Sequence, residues 1–254
     1  MTVEPGLPAD ARIEFRSGGV LAGAPYADAV ARACDCAIGW HVADGDEVAA
    51  GAVVGTLNGP LAGVLRAERS LLNLLQRASG IATATRAYVH AVTGTGCRIL
   101  HTRKTAPALR VLDVAGVVAG GGGVHRLDLS HAVMVKDNHW QALARGGRTL
   151  ADALARARAA GVQALYVEVE TPAQLDEACA AGATRLLIDN QTPAMVRAWG
   201  AEARRQSPGI EIEATGGITL DNVRAYAESG ADYISIGALT HSVRAADLAV
   251  EVRF

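Results

Sequence analysis

The sequence predicts an α/β protein: an incomplete (β/α) barrel of about seven parallel strands with a smaller amino-terminal α+β domain. Three observations predict it. From residue 97 onward, short apolar runs rich in Val and Ile alternate with Ala-rich stretches of helical period, the pattern of parallel strands joined by crossovers. Polar residues gather just past the ends of those runs, where barrels of this kind keep their chemistry. Ahead of the repeats, short Gly-punctuated segments lead into one long helical pattern.

The first domain is expected over 1–75. Residues 15–25 form one apolar run, 29–39 reads as a helix, and 42–57 alternates around Asp44-Gly45 and Ala50-Gly51, both hairpin signals. From 66 to 92, Leu71, Leu72, Leu75, Ala78, Ile81, Ala82 and Thr85 recur at helical spacing, so one stripe is buried. The second domain is expected over 76–254. Its strands are expected at 97–101, 114–119, 132–136, 164–170, 185–189, 210–214 and 232–237, with helices at 150–160, 172–181, 193–206 and 220–229. Seven such units approach a barrel that commonly takes eight.

Composition narrows the function. The 254 residues are 50% apolar and 20% charged, enough to bury a sizeable core. No run has the length of a membrane span, and the opening MTVEPGLPADARIEF lacks the layout of an export signal; a cytoplasmic protein without membrane contact is expected. A net charge of −2 argues against nucleic acid as partner. Cys34, Cys36, Cys97 and Cys179 have no zinc-type spacing and do not make a disulfide scaffold. No dinucleotide or Walker pattern is present.

Of 24 basic residues, all but Lys104 and Lys136 are arginine, and both lysines fall at expected strand ends. With Arg103, His125 and Arg126 they make a cationic set, with Arg69 and Arg110 as outliers. Cations converging in a partly buried mouth repel one another, so the natural occupant carries several negative charges. Glu168, Glu170 and Asp189 are acceptors for ribose hydroxyls or ligands for Mg²⁺ held mostly by substrate phosphates. Only one of Glu168 and Glu170 is expected to look into the barrel, the other facing the helices or pairing with an arginine. Thr215-Gly216-Gly217, opening an expected helix, and Gly237-Ala238 suit a phosphate after the last two strands; an ordinary turn before a helix would read the same way.

These residues carry a resemblance. HTRKTAPALR (101–110), GGGGVHRLDLSHAVMVKDNH (120–139), VEVE (167–170), LIDN (187–190), EATGGITLDN (213–222) and ADYISIGALTHS (231–242) together resemble the quinolinate phosphoribosyltransferase family, also called nicotinate-nucleotide pyrophosphorylase (carboxylating). ERSLLNLLQRASGIAT (68–83) looks like its linking helix, and DGDEVAAGAVVGTLNGP (44–60) is similar to its amino-terminal hairpins. The likeness runs collinearly from about residue 15 to the end. It implies Mg²⁺-dependent transfer of the ribose of phosphoribosyl pyrophosphate to quinolinate, giving nicotinate mononucleotide, pyrophosphate and CO₂.

Carried over by residue, the resemblance implies that Arg103, His125, Arg126 and Lys136 clamp the two carboxylates, with Thr102 beside them. Lys104 would serve the pyrophosphate, and Glu170 and Asp189 the ribose hydroxyls and the metal. Thr215, Gly216, Gly217, Gly237, Ala238 and His241 would cradle the 5′-phosphate. Arg69 looks like an arginine reaching the neighbouring subunit's site, which implies a homodimer. Asp113-Val114 stands where the family commonly has Glu-Lys, and Val124 replaces a polar residue before His125-Arg126. Two other readings share the fold: a phosphoribosyltransferase for another small acid, of the molybdenum-locus type, and a non-catalytic binder of phosphoribosyl ligands.

Overall fold

The computed structural model describes residues 3, 4 and 6–253. In chain order the elements are β1 (Pro8–Phe15), β2 (Gly19–Val20), α1 (Ala24–Ala33), β3 (Ala37–Trp40), β4 (Glu47–Val48), β5 (Ala52–Pro60) and α2 (Leu61–Ala91). There follow β6 (Arg98–Leu100), α3 (Arg110–Ala119), β7 (Val133–Val135), α4 (Asp137–Arg145), α5 (Leu150–Ala159), β8 (Leu165–Val169), α6 (Pro172–Ala180), β9 (Arg185–Asp189) and α7 (Pro193–Gln206). The last are β10 (Glu211–Thr215), α8 (Val223–Ala227), β11 (Tyr233–Ser235), α9 (Ala238–His241) and β12 (Leu248–Arg253). Among the described residues no helix is long and apolar enough to cross a membrane.

Two compact units form, each assembled from separate stretches of chain. One holds the residues up to 87, 104–124 and those from 237 on; the other holds 88–103 and 125–236. In the first, an antiparallel sheet of order β12-β1-β5-β3 packs its buried face, including Ile13, Phe15, Val54, Leu57 and Leu248, against Leu71, Leu72 and Leu75 of α2. Strand β12, not anticipated from the sequence, pairs along β1 from Asp10 opposite Arg253 to Phe15 opposite Leu248. Cys34 and Cys36 lie in this core as free thiols.

The helix expected at 29–39 starts five residues earlier and gives way to β3. Pro25 in the first turn presets the backbone, and Asp44 accepts from the N–H groups of Gly23 (2.9 Å) and Ala24 (3.1 Å). Asp44 is thus a helix cap supplied across the loop as well as a turn residue. Asp35 in the left-handed region (φ 59°) stops the helix and turns the chain into β3. Further along, α2 is one 31-residue helix. A Cβ at its Gly80 would stand 2.2 Å from the Arg244 carbonyl oxygen, so only glycine lets the chain pass so close.

The stretch 114–119, expected as a strand, is the second half of α3. Its valines favour strands locally, but Leu112, Asp113, Gly116 and Val117 are buried at helical spacing. Asp113 is fully buried and takes Nε (2.6 Å) and Nη2 (2.8 Å) of Arg77 on α2, while its Oδ2 also accepts from the Ala106 N–H. Three valines in six residues looked like a strand because the arginine that satisfies the preceding Asp113 is 36 residues away in sequence.

The second unit therefore has six parallel strands rather than seven, in the order β6-β11-β10-β9-β8-β7. This is a barrel's cyclic order opened between β6 and β7, the pair that the expected strand would have joined. Helices α4 to α8 join successive strands of the sheet. The β9 and α7 boundaries match expectation, whereas α4 went unread and α8 covers only Val223–Ala227 of the expected 220–229.

Breaking a buried ion pair by neutralising one partner typically costs about 3–5 kcal/mol. Asp113→Asn is expected to lower the stability of the protein by that amount in urea unfolding. The double change Arg77→Met/Asp113→Leu should recover more than half of it.

Candidate active site

In the second unit the strands deliver charged groups at their carboxyl ends. β6 runs into His101, Thr102 and Arg103; β7 into Lys136; β9 and β10 finish on Asp189 and Thr215. Arg103 and Arg126 come together: burial lowers the Arg126 pKa from its ordinary value, and the charge of Arg103 lowers it further, with Glu213 and Tyr166 opposing. Among the described residues neither arginine has a carboxylate partner; Arg126 donates from Nη1 to the Ala132 carbonyl (3.1 Å), and the buried Arg103 Nε has no acceptor. A buried donor without an acceptor and two guanidinium groups without counter-ions describe a place for an anion.

Lys136 is paired with Glu168, whose side chain is 9% exposed. Glu168 and Glu170 do part company, but not by facing opposite ways across the pleat, since residues two apart share a face. β8 ends at Val169, so Glu170 lies beyond it and is exposed, its N–H bonded to the Gln174 side chain (2.8 Å). The buried acid's partner is a lysine rather than an arginine. Trp140 on α4 donates to the Glu168 carbonyl (2.9 Å), and His139 Nδ1 accepts from the Lys136 N–H (3.0 Å). The KDNH segment thus caps a helix while its lysine faces the acid.

Below these ends the sheet carries a polar layer. Registers place Arg185 beside Tyr166 and Glu211, and Glu213 between Leu187 and Tyr233. Arg185 bonds Glu211 (2.8 Å) and Glu213 (3.1 Å), with its guanidinium carbon 3.9 Å from the Tyr233 ring centre and 4.5 Å from that of Tyr166. His125 Nε2 lies 3.2 Å from Glu213 Oε2. Burial pushes the Glu213 carboxyl up, but His125, the Ser235 hydroxyl and Arg185 outweigh it, and its pKa falls below the ordinary value. Sequence reasoning missed Arg185, Glu211 and Glu213. The alternation in EIEAT (211–215) was the available signal.

Asp189, half-buried, accepts from the Asn190 amide (2.6 Å), and Asn190 in the left-handed region (φ 53°) donates its N–H to the Thr215 carbonyl (3.0 Å). Gly216 (φ 85°) and Gly217 (φ 62°) follow, and a Cβ at Gly216 would fall 2.2 Å from Asn190 Oδ1. The acid-bearing turn and the glycine turn are therefore fitted to each other. The glycine pair does not open a helix as expected: α8 begins at Val223 and has five residues. What suits a phosphate here is the run of left-handed backbone N–H groups.

The first unit holds the other expected residues. The Thr240 hydroxyl donates to the Lys104 carbonyl (2.8 Å), and Arg77 reaches from Asp113 to the Thr240 carbonyl (3.1 Å). Gly237 lies against Lys104 and His241, since a Cβ there would be 3.3 Å from Lys104 Cδ and 3.1 Å from the His241 ring. Lys104, Gly237, Ala238 and His241 are thus gathered, and the Arg77–Asp113 pair that gathers them was missed. Arg110 donates to the Thr105 hydroxyl (3.3 Å). Arg69 stays apart, exposed on α2 two turns before Arg77, roughly 12 Å along the axis. A cavity of about 710 Å³ beside β7 is lined chiefly by apolar groups such as Leu129, Met134 and Leu143; of the cationic set only Arg126 lines it.

Comparison with known proteins covers nearly the whole chain. Residues 1–79 match the family description "Quinolinate phosphoribosyl transferase, N-terminal domain", and residues 81–251 match "Quinolinate phosphoribosyl transferase, C-terminal domain". The probable nicotinate-nucleotide pyrophosphorylase [carboxylating] of Bacillus subtilis is 44% identical over 212 residues, covering 84% of this chain and 72% of that protein. The human nicotinate-nucleotide pyrophosphorylase [carboxylating] is 38% identical over 249 residues, covering 96% and 82%. The solved nicotinate-nucleotide pyrophosphorylase of Francisella tularensis superposes with a TM-score of 0.91 at 31% identity, covering 99% of this chain and 88% of that one. With both halves of the chain matched in order, and arginines, lysines and acids at its strand ends, the chain belongs to the quinolinate phosphoribosyltransferase family.

Proposed function

We propose that this chain transfers the phosphoribosyl group of phosphoribosyl pyrophosphate to quinolinate, releasing pyrophosphate and CO₂ and leaving nicotinate mononucleotide. The observation that carries this reading is the nearness of Arg103 to the buried Arg126, with neither guanidinium in an ion pair among the described residues and the Arg103 Nε without an acceptor. A pyridine dicarboxylate supplies two negative charges on a rigid ring and relieves that repulsion. Lys136 adds a third cation that Glu168 holds in place until substrate enters.

The chemistry follows from alignment. The ring nitrogen attacks the anomeric carbon as its bond to pyrophosphate breaks, so fixing the dianion with the nitrogen toward the sugar is the main service of the cationic set. Positive charge builds on the ribose as pyrophosphate leaves, and Glu170 and Asp189, at the ends of neighbouring strands, stabilise it. Once the nitrogen is quaternary, the adjacent carboxylate leaves as CO₂. Its electron pair stays on the ring carbon and takes up a proton.

Magnesium fits the donor set on one condition. Among the described residues no cluster of three ligating side chains exists, which suits an ion bound mainly by phosphates and water, with Glu170 and Asp189 as its protein-side carboxylates. When bound, the ion would supply charge neutralisation at the leaving pyrophosphate. Lys104 serves the same group, and the 215–217 turn with Gly237, Ala238 and His241 receives the 5′-phosphate. Arg69, exposed on α2, would complete the site of a second copy in a homodimer. The proposed location is the cytoplasm.

Incubating the protein with quinolinate, phosphoribosyl pyrophosphate and Mg²⁺ is expected to yield nicotinate mononucleotide by chromatography. Nicotinate, lacking the second carboxylate, should give none. Lys136→Ala and Arg126→Ala are each expected to cost about 2–4 kcal/mol in kcat/KM for quinolinate, the scale of a desolvated charge-assisted contact; near-normal turnover would sink the assignment. Mixing Arg69→Ala with Lys136→Ala, each inactive alone, is expected to restore about one quarter of wild-type activity, because each mixed dimer of two-fold symmetry regains one intact site.

A further inference from the structure

The turn after β9 carries more hydrogen bonding than the link from a strand to a helix requires. Register sets Asp189 beside Thr215 at the ends of neighbouring parallel strands. Asn190 follows in the left-handed region (φ 53°), which asparagine tolerates better than most residues. It is exposed, so it is not there to fill a core. Both ends of its carboxamide are nonetheless committed. A carboxylate only accepts, so the amide nitrogen is the end that meets Asp189 Oδ2, at 2.6 Å. The amide oxygen then lies against Gly216, in the space that a Cβ there would need.

The backbone of the turn is held without that carboxamide. The Asn190 N–H donates to the Thr215 carbonyl (3.0 Å), the Gln191 side chain to the Asp189 carbonyl (3.3 Å), and the Tyr226 hydroxyl to the Gln191 carbonyl (2.9 Å). What is left for the carboxamide is the direction of the Asp189 carboxylate.

We propose that Asn190 is a positioning residue. Its amide nitrogen aims the Asp189 carboxylate at the sugar hydroxyls, and its amide oxygen, seated on Gly216, keeps that aim in step with the glycine turn that takes the phosphate. It acts through Asp189 and does not itself bind substrate. The proposal rests on the functional reading above for what Asp189 and the turn bind; the hold of Asn190 on Asp189 is independent of it.

Asn190→Gly tests it, since glycine accepts the left-handed backbone and only the carboxamide is lost. By isothermal titration in Mg²⁺-free buffer, this variant is expected to bind ribose 5-phosphate about tenfold more weakly, the scale of a hydrogen bond to a charged group. Its affinity for inorganic phosphate should stay within about twofold of wild type, because the backbone contacts that shape the turn remain. In an Asp189→Ala background the same change should alter ribose 5-phosphate binding by less than about twofold, since a residue that works through another adds nothing once the other is gone. Unchanged ribose 5-phosphate binding in Asn190→Gly, an equal loss for inorganic phosphate, or a full loss that persists without Asp189 would each overturn the proposal.

A second measurement needs no ligand. In ¹⁵N-labelled wild-type protein, the Asn190 side-chain amide, assigned through Asn190→Gly, is expected to show one proton shifted downfield, and Asp189→Ala should abolish that shift. A signal indifferent to Asp189→Ala would also overturn the proposal. If wild-type protein binds no ribose 5-phosphate and forms no nicotinate mononucleotide, the functional reading fails by itself, and the amide signal still decides whether Asn190 holds Asp189.

Discussion

Two guanidinium groups that repel each other, neither in an ion pair among the described residues, are the constraint around which this structure is arranged. Arg103 comes from the end of β6 and Arg126 from the segment before β7, the two strands at the open edges of the six-stranded sheet. Like charges brought out of water need either a neighbour of opposite sign or a bound anion. Elsewhere the sheet supplies opposite charges: Arg185 is matched by Glu211 and Glu213, and Lys136 by Glu168.

Much of this could be read from residues in order, and the reasons for the failures are physical. Strands β8, β9 and β10 announced themselves by runs such as LLID, and Pro193 and Gln206 bounded α7 correctly because a proline begins it and a Ser-Pro-Gly turn follows it. The segment 114–119 misled because local β-preference outweighed a helical burial pattern whose key acid is satisfied from α2. Strand β12 went unseen because its pairing partner, β1, lies at the other end of the chain. In each case the missing information was a contact distant in sequence.

The site divides the same way. Arg103, Lys136 and Asp189 were found because they stand at strand ends, a position that can be counted off. Arg185, Glu211 and Glu213 escaped because a charged residue inside an apolar run looks like a boundary error until its partner on the neighbouring strand is seen. Arg77 and Asp113 escaped because neither stands near a strand end. The likeness to a known family pointed to Arg103, Arg126 and Lys136 and was silent on Arg185, Glu211 and Glu213.

The fit between Asn190 and Gly216 has one more consequence. Asn190 bonds both Asp189 and the Thr215 carbonyl, and leaves no room for a side chain at Gly216, so the acid-bearing turn and the glycine turn behave as one rigid piece. If the first meets the hydroxyls of the sugar and the second its phosphate, the protein carries a built-in ruler for the span between them. A hexose phosphate donor, longer by one carbon, would overshoot that ruler, and the enzyme would refuse it on length alone.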